Sequence, residues 1–256
     1  MNKYAELLDL SGKTVIVTGG LSGAGRSISD VFIESGARVI MTYNGSGDLK
    51  DEVARRWPGR DLEFIYLDTG SIKSIEEFVN TLKREEVSVD CLVNNAGIYP
   101  SKYIDDVTPD EWDSMLDVNA RGVFFLSQKI RPLMKKGTII NISSINATNP
   151  AKNLAHYGAS KAAVEMITRS QAQAYGPDIR VNCIAPGLIF KEGQDEYIPG
   201  WSESYRSRSP LGKLVEPEEI GMLCLILASD LTSAVTGQVI TADSGVMLAP
   251  AFFNDL

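Results

Sequence analysis

The sequence predicts an α/β fold, a single doubly wound domain whose parallel sheet of about seven strands is flanked by helices. Three observations carry this expectation. Short β-branched and aliphatic runs alternate with amphipathic segments along the 256 residues, the pattern of strand–helix–strand units. The strand candidates are apolar throughout rather than at every second position, as strands covered on both faces are. A glycine-rich turn joins the first run to the first amphipathic segment. No low-complexity linker or repeat of solenoid period interrupts the chain, so one domain is expected over 1–256, with an inserted loop at about 188–212.

Taken in order, residues 13–18 (KTVIVT) form the first strand, GGLSGAGR the turn, and Ser27–Ser35 a helix stopped by Gly36. Arg38–Tyr43 is the second strand and Leu49–Trp57 the second helix, closed by Pro58-Gly59. The unit repeats as Glu63–Leu67 with Ser74–Glu85, Cys91–Asn94 with Pro109–Lys135, and Thr138–Ile142 with Tyr157–Tyr175. Arg180–Ile184 follows, then a long irregular stretch, a helix over Glu216–Ala228 and a last strand at Gln238–Thr241.

Composition narrows the function. A hydrophobic content of 44% and a charged content of 23% are ordinary for a globular chain, and a net charge of −8 argues against nucleic-acid or anionic-membrane partners. Cys91, Cys183 and Cys224 lie in apolar surroundings without CxxC or metal-ligand spacing, so they read as reduced packing residues and no metal site is expected. No run approaches the roughly 18 apolar residues of a spanning helix, and the N-terminus lacks an apolar leader core. A cytoplasmic location is the expectation.

Two stretches carry chemistry. Between the first strand and helix, Thr18-Gly19-Gly20-Leu21-Ser22-Gly23-Ala24-Gly25 lets the backbone turn tightly and approach a pyrophosphate, which the helix N-terminus would bind through its N–H groups. Between Thr138–Ile142 and the following helix, the paired Ser143 and Ser144 face the helix start, where Tyr157 and Lys161 lie one turn apart on one face. A phenol, an ammonium and a hydroxyl converging there can move a proton, and Lys161 is expected to favour the phenolate and lower the pKa of Tyr157.

The TGxxxGxG spacing of the turn, Ser144-x12-Tyr157-x3-Lys161, and Asn94-Asn95-Ala96-Gly97 after the fourth strand together resemble the short-chain dehydrogenase/reductase family. So do Asn119 in its helix, Pro186-Gly187 after the sixth strand, and the ending Gly237 to Gly245. The resemblance runs from about Leu10 to Gly245. It implies a Rossmann-type fold and a catalytic set of Asn119, Ser144, Tyr157 and Lys161. It further implies a nicotinamide dinucleotide held by Gly19, Leu21, Ser22, Gly23, Ala24, Tyr43, Asn44, Asp68, Thr69, Asn95, Ala96, Gly97, Tyr157, Lys161, Pro186, Gly187 and Ile189. Two departures stand out: Lys191 replaces the threonine five residues after Pro186, and Ser244 replaces a glycine.

The end of the second strand bears on the cofactor. A carboxylate there would bind a ribose 2′-hydroxyl and repel a 2′-phosphate. Tyr43-Asn44-Gly45-Ser46 has none before Asp48, which favours NADP over NAD, with Asn44 and Ser46 as neutral donors. Substrate-side loops are expected at Ile98–Tyr103, Ile145–His156 and Leu188–Ser209. Their polar groups (Asn146, Thr148, Asn149, Asn153, His156) beside Tyr197, Trp201 and Tyr205, with Lys191, Arg206 and Arg208, suit a small sugar-, polyol- or hydroxy-acid-like substrate. His156 adjoins Tyr157 but points about 100° away on a helix, toward the loop. The expected function is alcohol–carbonyl interconversion. The alternatives are a dinucleotide sensor without turnover and an epimerase or dehydratase without net oxidation. The resemblance also implies a homotetramer packed through the helices at Pro109–Lys135 and Tyr157–Tyr175, with Val123, Phe124, Phe125 and Ala163 as candidate contacts, and Phe252-Phe253 covering an interface or the site.

Overall fold

A computed structural model describes residues 6–45, 47–193 and 199–248. Ser46, Tyr197 and the Phe252-Phe253 pair lie outside the described residues. Seven strands form one sheet: β1 Thr14–Val17, β2 Arg38–Tyr43, β3 Leu62–Tyr66, β4 Cys91–Asn94, β5 Gly137–Ile142, β6 Ile179–Pro186 and β7 Val239–Ala242. Their order is β3-β2-β1-β4-β5-β6-β7 and every pairing is parallel. Side chains alternate across the pleat, which divides the core in two. Val15, Val17, Val39 and Met41 pack on one side with Ile28, Phe32, Ile220 and Cys224. Ile16, Ile40, Leu92 and Ile139 pack on the other with Phe78, Leu82, Leu126 and Ile130. Both faces are apolar because both are covered, which is why the strands read as unbroken runs.

The helices are α1 Gly23–Glu34, α2 Lys50–Arg56, α3 Ile72–Arg84, α4 Pro109–Leu116, α5 Gly122–Ile130, α6 Ala155–Tyr175, α7 Trp201–Arg208 and α8 Pro217–Ala228. Two differ from expectation. The helix predicted over Pro109–Lys135 is α4 and α5 joined by a π-turn at Asp117–Arg121, ending in a 3₁₀ turn at Arg131–Leu133. The irregular stretch after β6 contains α7, whose sequence WSESYRSR buries only Ser202 and Tyr205 and so shows no apolar stripe. Ile189 bridges Val215 in parallel, with Phe190 N–H donating to the Val215 carbonyl (2.8 Å) and Val215 N–H to that of Leu188 (3.1 Å). The inserted loop is thus tied at its base.

Between β4, β5 and the helices over them runs a buried polar ladder. The Asn94 amide donates to Ser127 Oγ (2.9 Å) and Asn141 Oδ1 (2.8 Å), and the Asn141 amide donates to Thr168 Oγ1 (2.9 Å). These groups satisfy one another in a setting where an unpaired amide would be costly. Cys91, Cys183 and Cys224 are free and buried, and burial pushes the Cys183 thiol up to about 12. Among the described residues, no helix is long and apolar enough to cross a membrane.

Candidate active site

In an open parallel sheet, ligands sit beyond the carboxyl ends of the strands where the order reverses. Here that point lies between β1 and β4, and both motif turns meet there. Thr18, at the end of β1, receives the backbone N–H groups of Asn95 and Ala96 on its Oγ1, each at 2.9 Å, while the Asn95 amide donates to the Thr18 carbonyl (2.9 Å). The glycine turn and the Asn95-Ala96-Gly97 segment are therefore locked as one piece. Gly19 adopts φ +64. A side chain on Gly25 would overlap the Gly19 carbonyl and lie 2.5 Å from the Asn95 amide, so only glycine lets α1 approach this closely. Ser22 is the N-cap of α1 but makes no side-chain capping bond, and the first turn has no acidic residue. Leu21 is buried beneath the turn, while Ser22 and Gly23 are exposed and Ala24 half-buried. Uncapped N–H groups at the start of a twelve-residue helix can receive a phosphate oxygen.

The proton-handling residues gather at the ends of β4 and β5. The structure separates the paired serines. Ser143 points into the protein, donating to the Lys161 carbonyl (3.1 Å) and to Glu165 (3.3 Å). Ser144, whose hydroxyl donates to Asn146 Oδ1 (3.4 Å), is the one that acts on the Tyr157 phenol. Lys161 is buried, donates to the Ile142 carbonyl at 2.9 Å, and holds its ammonium 5.7 Å from the centre of the Tyr157 ring. Burial with few compensating partners pulls the Lys161 ammonium down to about 8. The expectation that Lys161 depresses the Tyr157 phenol is corrected. Burial is the largest influence on that phenol and raises it, opposed by the Ser144 hydroxyl.

Asn119 is fully buried inside the π-turn, an irregularity found mostly at functional sites. Its Oδ1 accepts the Ile98 N–H (2.9 Å), and its amide donates to the Ile98 carbonyl (2.8 Å) and to Ser160 Oγ (3.1 Å). It therefore fixes the strand-to-loop step after Gly97 and makes no direct bond to Lys161. Tyr99, next in that loop, meets Tyr157 edge-on with ring centres 6.4 Å apart. Sequence reasoning placed Tyr99 only within a loop; nothing in its spacing marked the contact.

The remaining cofactor candidates lie at or just beyond the carboxyl ends of β2, β3 and β6. Asp68 accepts the Gly70 N–H (2.9 Å), and Thr69 is buried against Gly122. The N-cap of α3 is Ser71 rather than Asp68. Tyr43 ends β2 and Asn44 follows it, and Tyr66 donates to Asn44 Oδ1 (3.4 Å). Lys50, which carried no weight in the sequence, folds back so that its ammonium donates to the Tyr43 hydroxyl at 2.7 Å. Pro186 ends β6, and Gly187 and the bridged Ile189 follow it. The Tyr205 hydroxyl accepts the Leu188 N–H (3.2 Å) and donates to the Asp243 carbonyl (2.8 Å), so Tyr205 braces this turn from inside instead of lining a substrate loop. Ser244 stands at φ +56, in the left-handed region that explains why a glycine is usual there.

The polar loop residues are largely spent on one another. Asn153 donates to Ser101 Oγ (2.7 Å), Lys102 N–H donates to the Asn153 carbonyl (2.8 Å), and the Asn146 amide donates to the Asn149 carbonyl (3.2 Å). Arg206 pairs with Glu203, and Arg208 donates to the Ser204 carbonyl. His156 is buried and lines a cavity of about 300 Å³ with Trp112, Pro109 and Ile104. It faces α4 rather than the loop.

A nicotinamide dinucleotide fits these residues: an uncapped helix start, a turn closed to any residue larger than glycine at 25, and an ammonium beside a phenol. The profile of the family described as enoyl-(acyl carrier protein) reductase matches residues 19–247. The chain is 35% identical over 245 residues to the 3-oxoacyl-(acyl-carrier-protein) reductase of Thermotoga maritima, covering 93% of this chain and 99% of that one. It is 36% identical over 246 residues to the NADP-dependent (R)-specific alcohol dehydrogenase of Lentilactobacillus kefiri, covering 92% and 97%. A gluconate 5-dehydrogenase from Burkholderia cenocepacia, solved with NADP and tartrate, superposes with a TM-score of 0.88 at 26% identity, covering 96% and 100%. Sequence identity along the full fold and the site geometry agree: the chain belongs to the short-chain dehydrogenase/reductase family, as an NAD(P)-dependent oxidoreductase acting on a CH–OH group or its carbonyl.

Proposed function

We propose that the protein is an NADP-preferring reductase and dehydrogenase for a small polar substrate of the sugar, polyol or hydroxy-acid kind. The observation that carries the reaction is the Lys161 ammonium, tied to the Ile142 carbonyl at the end of β5 and 5.7 Å from the centre of the Tyr157 ring, with the Ser144 hydroxyl acting on the same phenol. Support for the cofactor comes from the lack of a carboxylate at Tyr43-Asn44 and from relatives whose names specify NADP. Support for the substrate class comes from the Tyr99 and Ser144 hydroxyl groups beside the phenol, and from the structural likeness to a gluconate 5-dehydrogenase.

The bound nicotinamide supplies the hydride chemistry. The start of α1 and the Thr18-locked turn would hold the pyrophosphate, and Lys161 would hold the nicotinamide ribose. In reduction, Ser144 and Tyr157 both hydrogen-bond the carbonyl oxygen, and Tyr157 gives it a proton as negative charge develops there. Burial keeps the phenol protonated until then, and the Ser144 hydroxyl, which opposes that burial, stabilises the phenolate left behind. In oxidation, the same proton returns from the alcohol to Tyr157. Asn119 is a positioning residue: through Ile98 it sets the turn that brings Gly97 beside Lys161.

Purified protein would be screened with NADPH and NADH against sugars, polyols, hydroxy acids and a 3-oxoacyl thioester. NADPH-dependent turnover of the polar compounds is expected. Turnover of the thioester alone would overturn the substrate class. Tight cofactor binding without any turnover would mark a sensor, and conversion without change in nicotinamide absorbance an epimerase or dehydratase. We further propose a symmetric homo-oligomer in the cytoplasm, on the exposed apolar Trp112, Phe124 and Met166 of α4, α5 and α6 and the three reduced, buried thiols.

A further inference from the structure

We infer that Lys50 is the cation that recognises the 2′-phosphate of NADP(H), with Tyr43 as the rigid platform that aims it. This rests on the cofactor reading above and deepens it by naming the discriminating residue. Three observations place Lys50 there. Its ammonium is 2.7 Å from the Tyr43 hydroxyl and 4.2 Å from the centre of the Tyr43 ring, so the side chain lies along the end of β2 instead of trailing into solvent. Gly47, at φ +70, makes the fold-back possible: a side chain there would overlap Lys50 Cε and lie 2.9 Å from the Tyr43 ring. Tyr43 is itself held edge-on by Tyr66, with ring centres 5.9 Å apart.

The end of β2 is beside the glycine turn, since Gly20 N–H donates to the Thr42 carbonyl at 3.0 Å and Gly19 N–H reaches Thr42 Oγ1 at 3.4 Å. A dinucleotide with its pyrophosphate on that turn carries its adenosine ribose toward β2. Among the described residues, Lys50 makes no ion pair, whereas Arg26 is committed to Asp30 (3.1 Å) and Arg38 to Glu63 (2.8 Å). An ammonium without a carboxylate partner, ordered on an aromatic ring, has donors left for a phosphate and loses little freedom in binding one. A ribose 2′-hydroxyl would gain far less from it.

The test is equilibrium calorimetry of the full chain with NADPH, NADH and adenosine 2′,5′-bisphosphate, for wild type, Lys50→Gln and Lys50→Arg. Wild type is expected to bind NADPH more tightly than NADH. Lys50→Gln should weaken NADPH and the bisphosphate by about 10- to 100-fold, the worth of a hydrogen bond to a charged group, with NADH unchanged. Lys50→Arg should keep most of the affinity. If wild type prefers NADPH and Lys50→Gln keeps that preference, the assignment of Lys50 is overturned while the NADP reading stands. If Lys50→Gln weakens NADH and NADPH alike, Lys50 only supports the local fold and the assignment again fails. If wild type binds NADH as tightly as NADPH, the NADP preference itself fails, and the role of Lys50 with it.

Discussion

Tyr157 and Lys161 are displaced by the same cause in opposite senses: burial raises the phenol and brings the ammonium down to about 8. Lys161 therefore loses its proton first, as pH passes through about 8, while the raised phenol keeps its own. Below about pH 8 the phenol can donate to a carbonyl with the ammonium in place; above it the cation placed to hold the nicotinamide ribose is gone. The kcat/KM should therefore fall in both directions as pH passes through about 8. Profiles flat through that range would refute this role of Lys161. Replacing Tyr157 with Phe should cut turnover by about 10²–10⁴-fold while NADPH affinity, read by calorimetry, stays within a few-fold. Undiminished turnover would remove Tyr157 from the chemistry. At this scale the sequence was informative where spacing is chemistry: Ser144, Tyr157 and Lys161 converge as their intervals imply. It was silent on Lys50, because the contact depends on a chain reversal at Gly47 that no side-chain pattern records, and on the direction of the Tyr157 shift, which depends on burial.

The π-turn between α4 and α5 shows what an element can hide. A periodic apolar pattern over Pro109–Lys135 reads as one helix, and the extra backbone residue at Asp117–Arg121 leaves that pattern nearly intact. Asn119 is the visible trace, a polar residue where a helix would bury an apolar one. Replacing it with Ala leaves the Ile98 N–H and C=O without their partner in a half-buried place, where each costs at most about 1–3 kcal/mol. Urea unfolding should show a loss on the order of 1–3 kcal/mol, together with a lower kcat; unchanged stability would mean that water or another group replaces the amide. The short α7 was illegible for a different reason. Its stability comes from Tyr205 reaching the Asp243 carbonyl and the Leu188 N–H, contacts that are remote in sequence.

For the whole molecule, seven parallel strands with helices on both faces follow from alternating runs, and the reversal between β1 and β4 places the site without further information. The sequence points to assembly only by resemblance, since an apolar helix residue looks the same whether core or interface. Val123 turned out buried, Phe125 half-buried and Phe124 exposed. If Phe124 packs between subunits, Phe124→Glu should lower the mass in light scattering without changing the circular dichroism of the chain; an unchanged mass would place the interface elsewhere. The clasp between Ile189 and Val215 has a wider consequence. A segment whose two ends are hydrogen-bonded together behaves as a replaceable cassette. The entropy of closing it grows only logarithmically, about 0.6 kcal/mol for each doubling of length. Loops of other lengths and chemistries can therefore be grafted between these two residues while the sheet, the glycine turn and the proton-handling pair stay as they are, provided that Tyr205 keeps its bonds to the Leu188 N–H and the Asp243 carbonyl. A lineage, or a designer, can change what this scaffold accepts without renegotiating how it folds.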